Sequence, residues 1–364
     1  MSKYSLKKQI GCWVHERKDT ELAILAPRLA ASLGRHWLDL HNRSEQISIE
    51  AVTGGRICHW TDSSPLTVAR MFPRVGARLL RRCLTDWPIE FSEIPAWVNS
   101  TEPEVSFLVA VRGTKRLPQF RAVLASLLAQ VDCACEIVVV EQSEAREFES
   151  ILPSVVRYIH TPPPTPDMPF NKSWALNVGA RLARGRILIV QDADMAVPMH
   201  YAKAIRDTLD RGYDGMRVPR FLFYLTEEDT QIACRDRNFG HVRRIERVIQ
   251  NNPTPVALRK DAYFQIGGHD EAFYAWGGED NEFLDRLQTL RTASGTCLPI
   301  VHLWHPEAPN RTGDRNREGL EGRRRMPVAE RIRELSARAA GREAAPNPLP
   351  PPRHAVTEAI GSTA

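Results

Sequence analysis

The sequence predicts an α/β fold: a mostly parallel central sheet with helices on both faces, joined to a smaller N-terminal module. Apolar runs of buried-strand type recur through the middle of the chain, as VSFLVAV (105–111), EIVVVEQS (136–143) and ILIVQDAD (187–194). Such runs belong to strands covered on both faces. Amphipathic stretches of helical period separate them, RGTKRLPQFRAVLASLLAQ (112–130) and NKSWALNVGARLARG (171–185), which is βαβ spacing. A third observation concerns position. Arg112, Glu141 and Asp192 stand where those strands end, and open parallel sheets bind ligands beyond the carboxyl ends of their strands.

Taken in order, residues 1–100 form a mainly helical module. TELAILAPRLAASLG has helical spacing with a stop at Gly34, and PLTVARMFPRVGARLLRRCLTDW is a helix pair interrupted by Pro73. GGRICHW is a short strand after a turn, and its His59 has no partner at useful spacing, so it is taken as structural. Residues 101–325 are the main domain. Pro118 sits in the first turn of a helix, VVRYIH is a third strand, and the helix from Asn171 ends at Gly185. Residues 214–250 are polar and aromatic, and read as an insertion on the acceptor side of a site. TPVALRKDAYFQIGGHDEAF gives a strand, a short helix and a turn at Gly267-Gly268, and TCLPIVHLWHPEAPN gives a strand and loop. A C-terminal helix spans 326–340. The tail 341–364, rich in alanine and proline, is expected to be disordered.

Composition removes several function classes. Among the 364 residues there is no run of 18 apolar ones, so no membrane-spanning helix is expected. The basic start lacks an apolar signal segment, which places the protein in the cytoplasm or peripherally at the inner face of the membrane. The seven cysteines lack zinc-site spacing and read as free thiols. Much of the net charge of +5 comes from residues 311–343, where ten arginines outweigh six acids by +4. No aromatic residues interleave with them, so nucleic acid is not the expected partner. A negatively charged small substrate or a membrane surface fits the charge equally well.

Three clusters carry candidate chemistry. In VQDADM, Asp192 and Asp194 stand at i and i+2 at a strand end, where a hard divalent cation relieves their repulsion and can hold a phosphate. Alone, the same pattern also occurs on plain surfaces. HLWH places His302 and His305 three apart, as metal ligands or as packing residues. In FYAWGGEDNEFLDRL, Gly277 and Gly278 let a turn press against a ligand, and Trp276 offers a face for a sugar ring. Glu279 and Asp280 then open a helix whose free N–H groups favour their charged forms. A carboxylate there can take a proton from an acceptor hydroxyl.

These pieces, in this order, resemble nucleotide-sugar-dependent glycosyltransferases of the GT-A fold. The likeness is to the β-1,4-galactosyltransferases and the galactosyltransferase-type domains of bacterial chondroitin and capsule polymerases, of family-two type. It spans about residues 104–312 through VAVRGTKRLPQFRAVLASLLAQ, VVVEQS, FNKSWALNVGARLARG, ILIVQDADM, IGGHDEAFYAWGGEDNEFLDRL and HLWHPEAPNR. The resemblance implies that Arg112 contacts the donor phosphate, Glu141 lies by the nucleotide base, and Asn171 and Lys172 begin the donor-side helix. It implies Asp192 at the ribose or a metal-bound water, Asp194 and His305 as metal ligands, and His302 as a third where animal enzymes carry methionine. Glu279 would grip the acceptor, Asp280 would be the base, and Trp276, Gly277 and Gly278 would line the donor site. The chain departs from the pattern at Lys172, which replaces an arginine, at His269, and at NNPTP before VALRK, where donor choice is made.

The function so implied is an inverting, Mn²⁺- or Mg²⁺-dependent hexosyltransferase of the EC 2.4 class. It would move a galactose-, N-acetylgalactosamine- or glucose-type unit from a UDP-sugar to a saccharide or glycoconjugate hydroxyl, in polysaccharide biosynthesis of bacterial type. A sugar nucleotidyltransferase shares the frame, but no early glycine-rich loop is present to hold a triphosphate. A glycosidase would need paired acids but no phosphate-facing arginine. A non-catalytic glycan-binding or scaffold subunit is the remaining class. The N-terminal module is left with the acceptor, a partner enzyme or a membrane surface as its contact, and oligomeric state is open. Residues 306–322 read as a polar loop, expected to act as a lid.

Overall fold

The computed structural model describes residues 4–97, 102–275, 277–306 and 313–340. In chain order its strands are β1 (Ile47–Ile49), β2 (Arg56–Cys58), β3 (Ser64–Pro65), β4 (Val105–Val111), β5 (Cys135–Glu141), β6 (Arg157–His160) and β7 (Ile187–Gln191). They continue as β8 (Met195–Ala196), β9 (Gly215–Arg217), β10 (Pro219–Leu225), β11 (Ile245–Gln250), β12 (Val256–Arg259), β13 (Thr292–Ala293) and β14 (Leu298–His302).

The central sheet runs β13-β9-β12-β7-β4-β5-β6. Four neighbouring strands, β7, β4, β5 and β6, are parallel, and β12 closes against β7 in the antiparallel sense. The apolar runs predicted burial on both faces, and alternate residues divide accordingly. Leu108, Val138, Val140, Leu188 and Val190 pack with Trp174, Leu176 and Ala180 of the helix Lys172–Leu182. Phe107, Val109, Ile137, Val139 and Ile189 face the opposite core, with the helix Leu117–Leu128. Gly179 lets the first helix lie close: a Cβ there would sit 3.2 Å from a Val140 methyl. The register pairs Val111 with Glu141 and Val109 with Gln191. Arg112, Gln142 and Asp192 therefore leave the sheet at one edge.

A second sheet, β3-β11-β10-β14-β8, stands beside that edge. Its β14 pairs with the short β8, which follows Asp194 directly, so that Met195 lies opposite His302. This pairing is what carries the H-x-x-H segment to the acidic loop.

The N-terminal segment supplies a long helix, Leu6–Leu25, with a π-helical turn at Trp13–Arg17. Pro27 then starts the helix Pro27–Ser32, and Gly34 follows at φ +64°. Helices Thr67–Met71 and Pro73–Asp86 bury Val68, Ala69, Val75, Leu79 and Leu80 in the same core as the second sheet. Buried Arg220 of β10 donates to the Leu38 and Leu40 carbonyls at 2.9 and 2.5 Å, fastening the segment to the sheet.

The stretch read as a lid loop is partly helical. Residues 307–312 lie outside the described residues, whereas Gly313–Arg324 form a helix against Glu279–Leu287. The helical signal was masked by glycines at 313, 319 and 322, and tertiary packing outweighs their low propensity. Arginines of this helix and of Val328–Ala340 answer the acids beneath. Arg323 meets Asp270, Arg324 meets Asp285, and Arg331 meets Glu282 and Asp285. Part of the basic C-terminal charge is thus spent on carboxylates of the fold.

Candidate active site

The site begins where β7 ends. Gln191 donates its Nε2 to the carbonyls of Asp192 (3.2 Å) and Met195 (2.8 Å), closing a tight loop. Asp192 and Asp194 leave this loop toward different partners. Asp194 is 8% exposed. One of its oxygens lies 3.1 Å from His305 Nε2 and 3.2 Å from an Arg116 guanidinium nitrogen, and the other 3.8 Å from His302 Nε2. The ligand atoms of Asp194, His302 and His305 all lie within 4.8 Å of one another. The Leu303 N–H donates to the Asp194 carbonyl at 2.8 Å, locking the two strand ends together. Burial opposes the Asp194 charge, but His302, His305 and Arg116 hold its carboxyl well below the usual range.

His302 is positioned by stacking. Its ring lies 4.3 Å from that of Tyr224, and Arg247 covers the Tyr224 ring at 4.2 Å. Burial lowers the His302 pKa, which keeps an imidazole nitrogen free to ligate, and its Nδ1 has no hydrogen-bond partner. One carboxylate and two imidazoles suit a divalent transition ion. Opposite ligands about such an ion stand roughly 4 Å apart, given bonds near 2.1 Å, so the donor set fits with a small inward shift.

Asp192 faces Lys172, with Nζ 2.7 Å from its Oδ1. The same ammonium lies 3.5 Å from Asp280 Oδ1, an ion pair too long for a good hydrogen bond. Burial works against the Lys172 charge, yet Asp192, Asp280 and Glu279 together raise its pKa well above the ordinary lysine value. A single lysine therefore joins the acidic loop to the glycine turn. It is held there by the helix start. The Asn171 side chain accepts from the Trp174 N–H at 2.8 Å, an N-cap worth about 1 kcal/mol.

The turn itself uses backbone conformations that favour glycine. Gly277 and Gly278 have φ +99° and +88°. A Cβ on Gly278 would also sit 2.8 Å from the Phe273 ring and 3.0 Å from the Asn316 carbonyl oxygen. Helix Glu279–Leu287 follows with both acids in its first turn. Burial, then the Asp280 charge, pushes the Glu279 carboxyl up to about 7, against the pull of Lys172. Burial also raises Asp280, again opposed by Lys172. Glu279 Oε2 is buried with no hydrogen-bond partner.

Other sequence candidates sit differently. Glu141 is fully buried, and its carboxylate accepts from the Glu147 and Phe148 N–H groups and from the Tyr158 hydroxyl at 3.0, 3.2 and 2.6 Å. Asn171, besides capping, donates to the Glu271 carbonyl at 2.8 Å. Arg112 donates to the Met168 and Pro166 carbonyls, bracing the proline-rich loop at the sheet edge. Trp276 lies outside the described residues. His269 is buried, stacked 4.1 Å from Phe283 and bonded to the Tyr263 hydroxyl at 2.9 Å. Sequence reading missed Arg116. It follows Arg112 by four residues in RGTKR and ends the short 3-10 turn Thr114–Arg116, and a second arginine in that loop was the available signal.

Residues 114–270 match the family model described as Glycosyl transferase family 2, and residues 255–296 match the model described as the N-terminal domain of galactosyltransferase. The glucosyl-dolichyl phosphate glucuronosyltransferase of Haloferax volcanii is 23% identical over 184 residues, covering 46% of this chain and 56% of that protein. The chain thus spans little more than half the length of that relative. The catalytic domain of Drosophila beta1,4galactosyltransferase 7, solved with xylobiose, is 16% identical, with a TM-score of 0.34 over 58% of this chain and 79% of that one. The first family match contains the acidic loop and the second contains the glycine turn with its two acids, so the chain is similar to the family 2 glycosyltransferases and to the galactosyltransferases in the segments that carry its site.

Proposed function

We propose that the protein transfers a hexose-type unit from a UDP-sugar to a hydroxyl of a saccharide or glycoconjugate, with inversion at the anomeric carbon. One observation carries the reading: a lysine bridges an acidic loop, with its Asp–His–His cluster, to a glycine turn that carries buried Glu279 and half-buried Asp280. Asp194, His302 and His305 would hold Mn²⁺ or Mg²⁺, which supplies charge neutralisation for the departing diphosphate. Arg116 adds a fixed cation on the same side, 3.2 Å from Asp194.

Asp280 and Glu279 divide the acceptor chemistry. Lys172 favours the ionised form of Asp280, the form that takes the acceptor proton. The new bond then joins the acceptor oxygen to the anomeric carbon as the carbon–phosphate-oxygen bond breaks, and UDP leaves with the electron pair. Glu279, whose proton is held to about 7, can donate to or accept from an acceptor hydroxyl. Donor choice falls to residues 251–256, where the chain departs from the galactosyltransferase pattern. The name of the Haloferax relative adds glucuronosyl donors to the galactose, N-acetylgalactosamine and glucose types.

The test is calorimetric titration of UDP with and without Mn²⁺, followed by a panel of UDP-sugars with the product anomer read by NMR. Metal-dependent UDP binding and an inverted product support the reading. UDP binding indifferent to metal, or a retained anomer, overturns it.

A further inference from the structure

The most exposed apolar side chains are not scattered. Eleven large hydrophobics stand out as exposed among the described residues, and seven of them lie between Leu6 and Leu33. Leu6, Ile10, Trp13 and Val14 fall at i, i+4, i+7 and i+8, one face of the long N-terminal helix. Leu25 at the end of that helix, and Leu29 and Leu33 after the break at Ala26, are exposed as well. The exposures are not marginal: 72% for Leu6, 56% for Trp13 and 71% for Leu25. Cys12, Thr20 and Ala23 mark the face that packs inward.

The charges around this strip are unbalanced. Its acids are already engaged. Asp19 pairs with Arg35, Glu21 with Arg17 and Arg78, and Glu16 accepts from Cys12 and from the Arg43 N–H. Lys7, Lys8, Lys18 and Arg28 are exposed, and none has an ion pair among the described residues. A helix with an apolar face, a tryptophan and flanking unpaired cations is suited to lie in the plane of a lipid surface.

We propose that residues 4–35 dock the protein on an anionic bilayer. The apolar strip enters the boundary between headgroups and acyl chains, and the four cations meet lipid phosphates. A second copy fits less well. A two-fold contact sets the same patch against itself, and here that opposes unpaired cations with no free acid to answer them. The inference rests on residues outside the catalytic set and stands apart from the proposed transfer reaction.

The experiment is co-sedimentation of the full chain with phosphatidylcholine vesicles and with mixed phosphatidylglycerol–phosphatidylcholine vesicles, at low and high salt. The wild type should bind the anionic vesicles, and binding should weaken as salt rises. Lys7→Glu with Lys8→Glu should reduce partitioning by about tenfold or more, since each basic residue near an anionic surface contributes measurably to attraction. Leu6→Ser with Trp13→Ser should reduce it on both vesicle types. These side chains are exposed, so unchanged thermal unfolding and unchanged UDP binding keep folding out of the comparison. No binding by the wild type, or equal binding by the charge-reversed variant, overturns the proposal. So does a dimer in vesicle-free solution that the same substitutions convert to monomer.

Discussion

Asp194 and Glu279 are both buried carboxylates at the sheet's carboxyl edge, and their surroundings drive them in opposite directions. Asp194 is met by an arginine and two imidazoles, and its proton is held far less tightly than in an ordinary carboxyl. Glu279 is met by another acid and has one oxygen with no partner, and its proton is held to about 7. Burial penalises both charges alike; the neighbours decide the outcome. The difference separates a carboxylate fit to stay ionised beside a cation from a carboxyl fit to exchange a hydrogen bond with a hydroxyl. Lys172 stands between their chain neighbours, 2.7 Å from Asp192 of the acidic loop and 3.5 Å from Asp280 of the turn.

Removing the ionised side of this pair should have the largest effect. Asp194→Ala is expected to abolish metal-dependent UDP binding and to lower transfer by at least about 10²–10³, the scale of losing one preorganised charge-stabilising group. Full transfer by the wild type in excess chelator would break the comparison at its metal end. At the turn, Asp280→Asn keeps shape while removing basicity. Turnover should fall by about 10²–10⁴ with UDP and metal affinity intact. Glu279→Gln should raise the acceptor KM more than it lowers turnover. If the Gln variant is dead and the Asn variant is nearly normal, the two roles must be exchanged.

A third buried carboxylate shows what pairing does without chemistry. Glu282 is fully buried on the same helix, bonded to Arg286 at 2.6 Å and to Arg331 at 3.2 Å, while Arg286 also donates to the Ile266 and Gly268 carbonyls. Arg286→Met leaves that charge half-answered and two carbonyls without their donor. It should cost about 3–5 kcal/mol of stability, the range for breaking a buried pair, read from the urea midpoint. A loss below about 1 kcal/mol would mean that Arg331 alone suffices.

Legibility in the sequence followed the same physics. Strands buried on both faces announce themselves as apolar runs, so β4, β5 and β7 were plain, and register then fixed which residues share the sheet edge. The motif residues Asp194, His302 and His305 were legible by type, and it was the family resemblance, not periodicity, that implied their meeting. That meeting depends on the pairing of the two-residue strand β8 with β14, and two residues carry no periodicity. Glu141 and Asn171 look available in sequence because both are polar and sit at element ends. The fold spends their hydrogen bonds on its own backbone and, for Glu141, on the Tyr158 hydroxyl. The arginine-rich segment from 311 onward misleads for the opposite reason. Its partners Asp270, Glu282 and Asp285 lie tens of residues away, and sequence shows charges without showing what they face.

The smallest effect tests the sign of the Glu279 shift directly, without substrate. The unfolded chain releases this proton near the ordinary glutamate value of 4.5, and the folded chain near 7. At acid pH both states keep the proton and the group makes no difference. Between those values the unfolded state binds fewer protons, so stability falls as pH rises, and the loss is complete above the folded value. Gln at this position is neutral throughout and lacks the loss. The stability of Glu279→Gln relative to wild type should therefore improve by about 1–3 kcal/mol between roughly pH 5 and pH 8 in ligand-free protein. Whatever constant cost the amide brings in packing cancels in that difference. A flat difference across the interval would show that Lys172 already neutralises Glu279 as fully as Arg116 and the histidines serve Asp194, and the contrast between the two carboxylates would disappear.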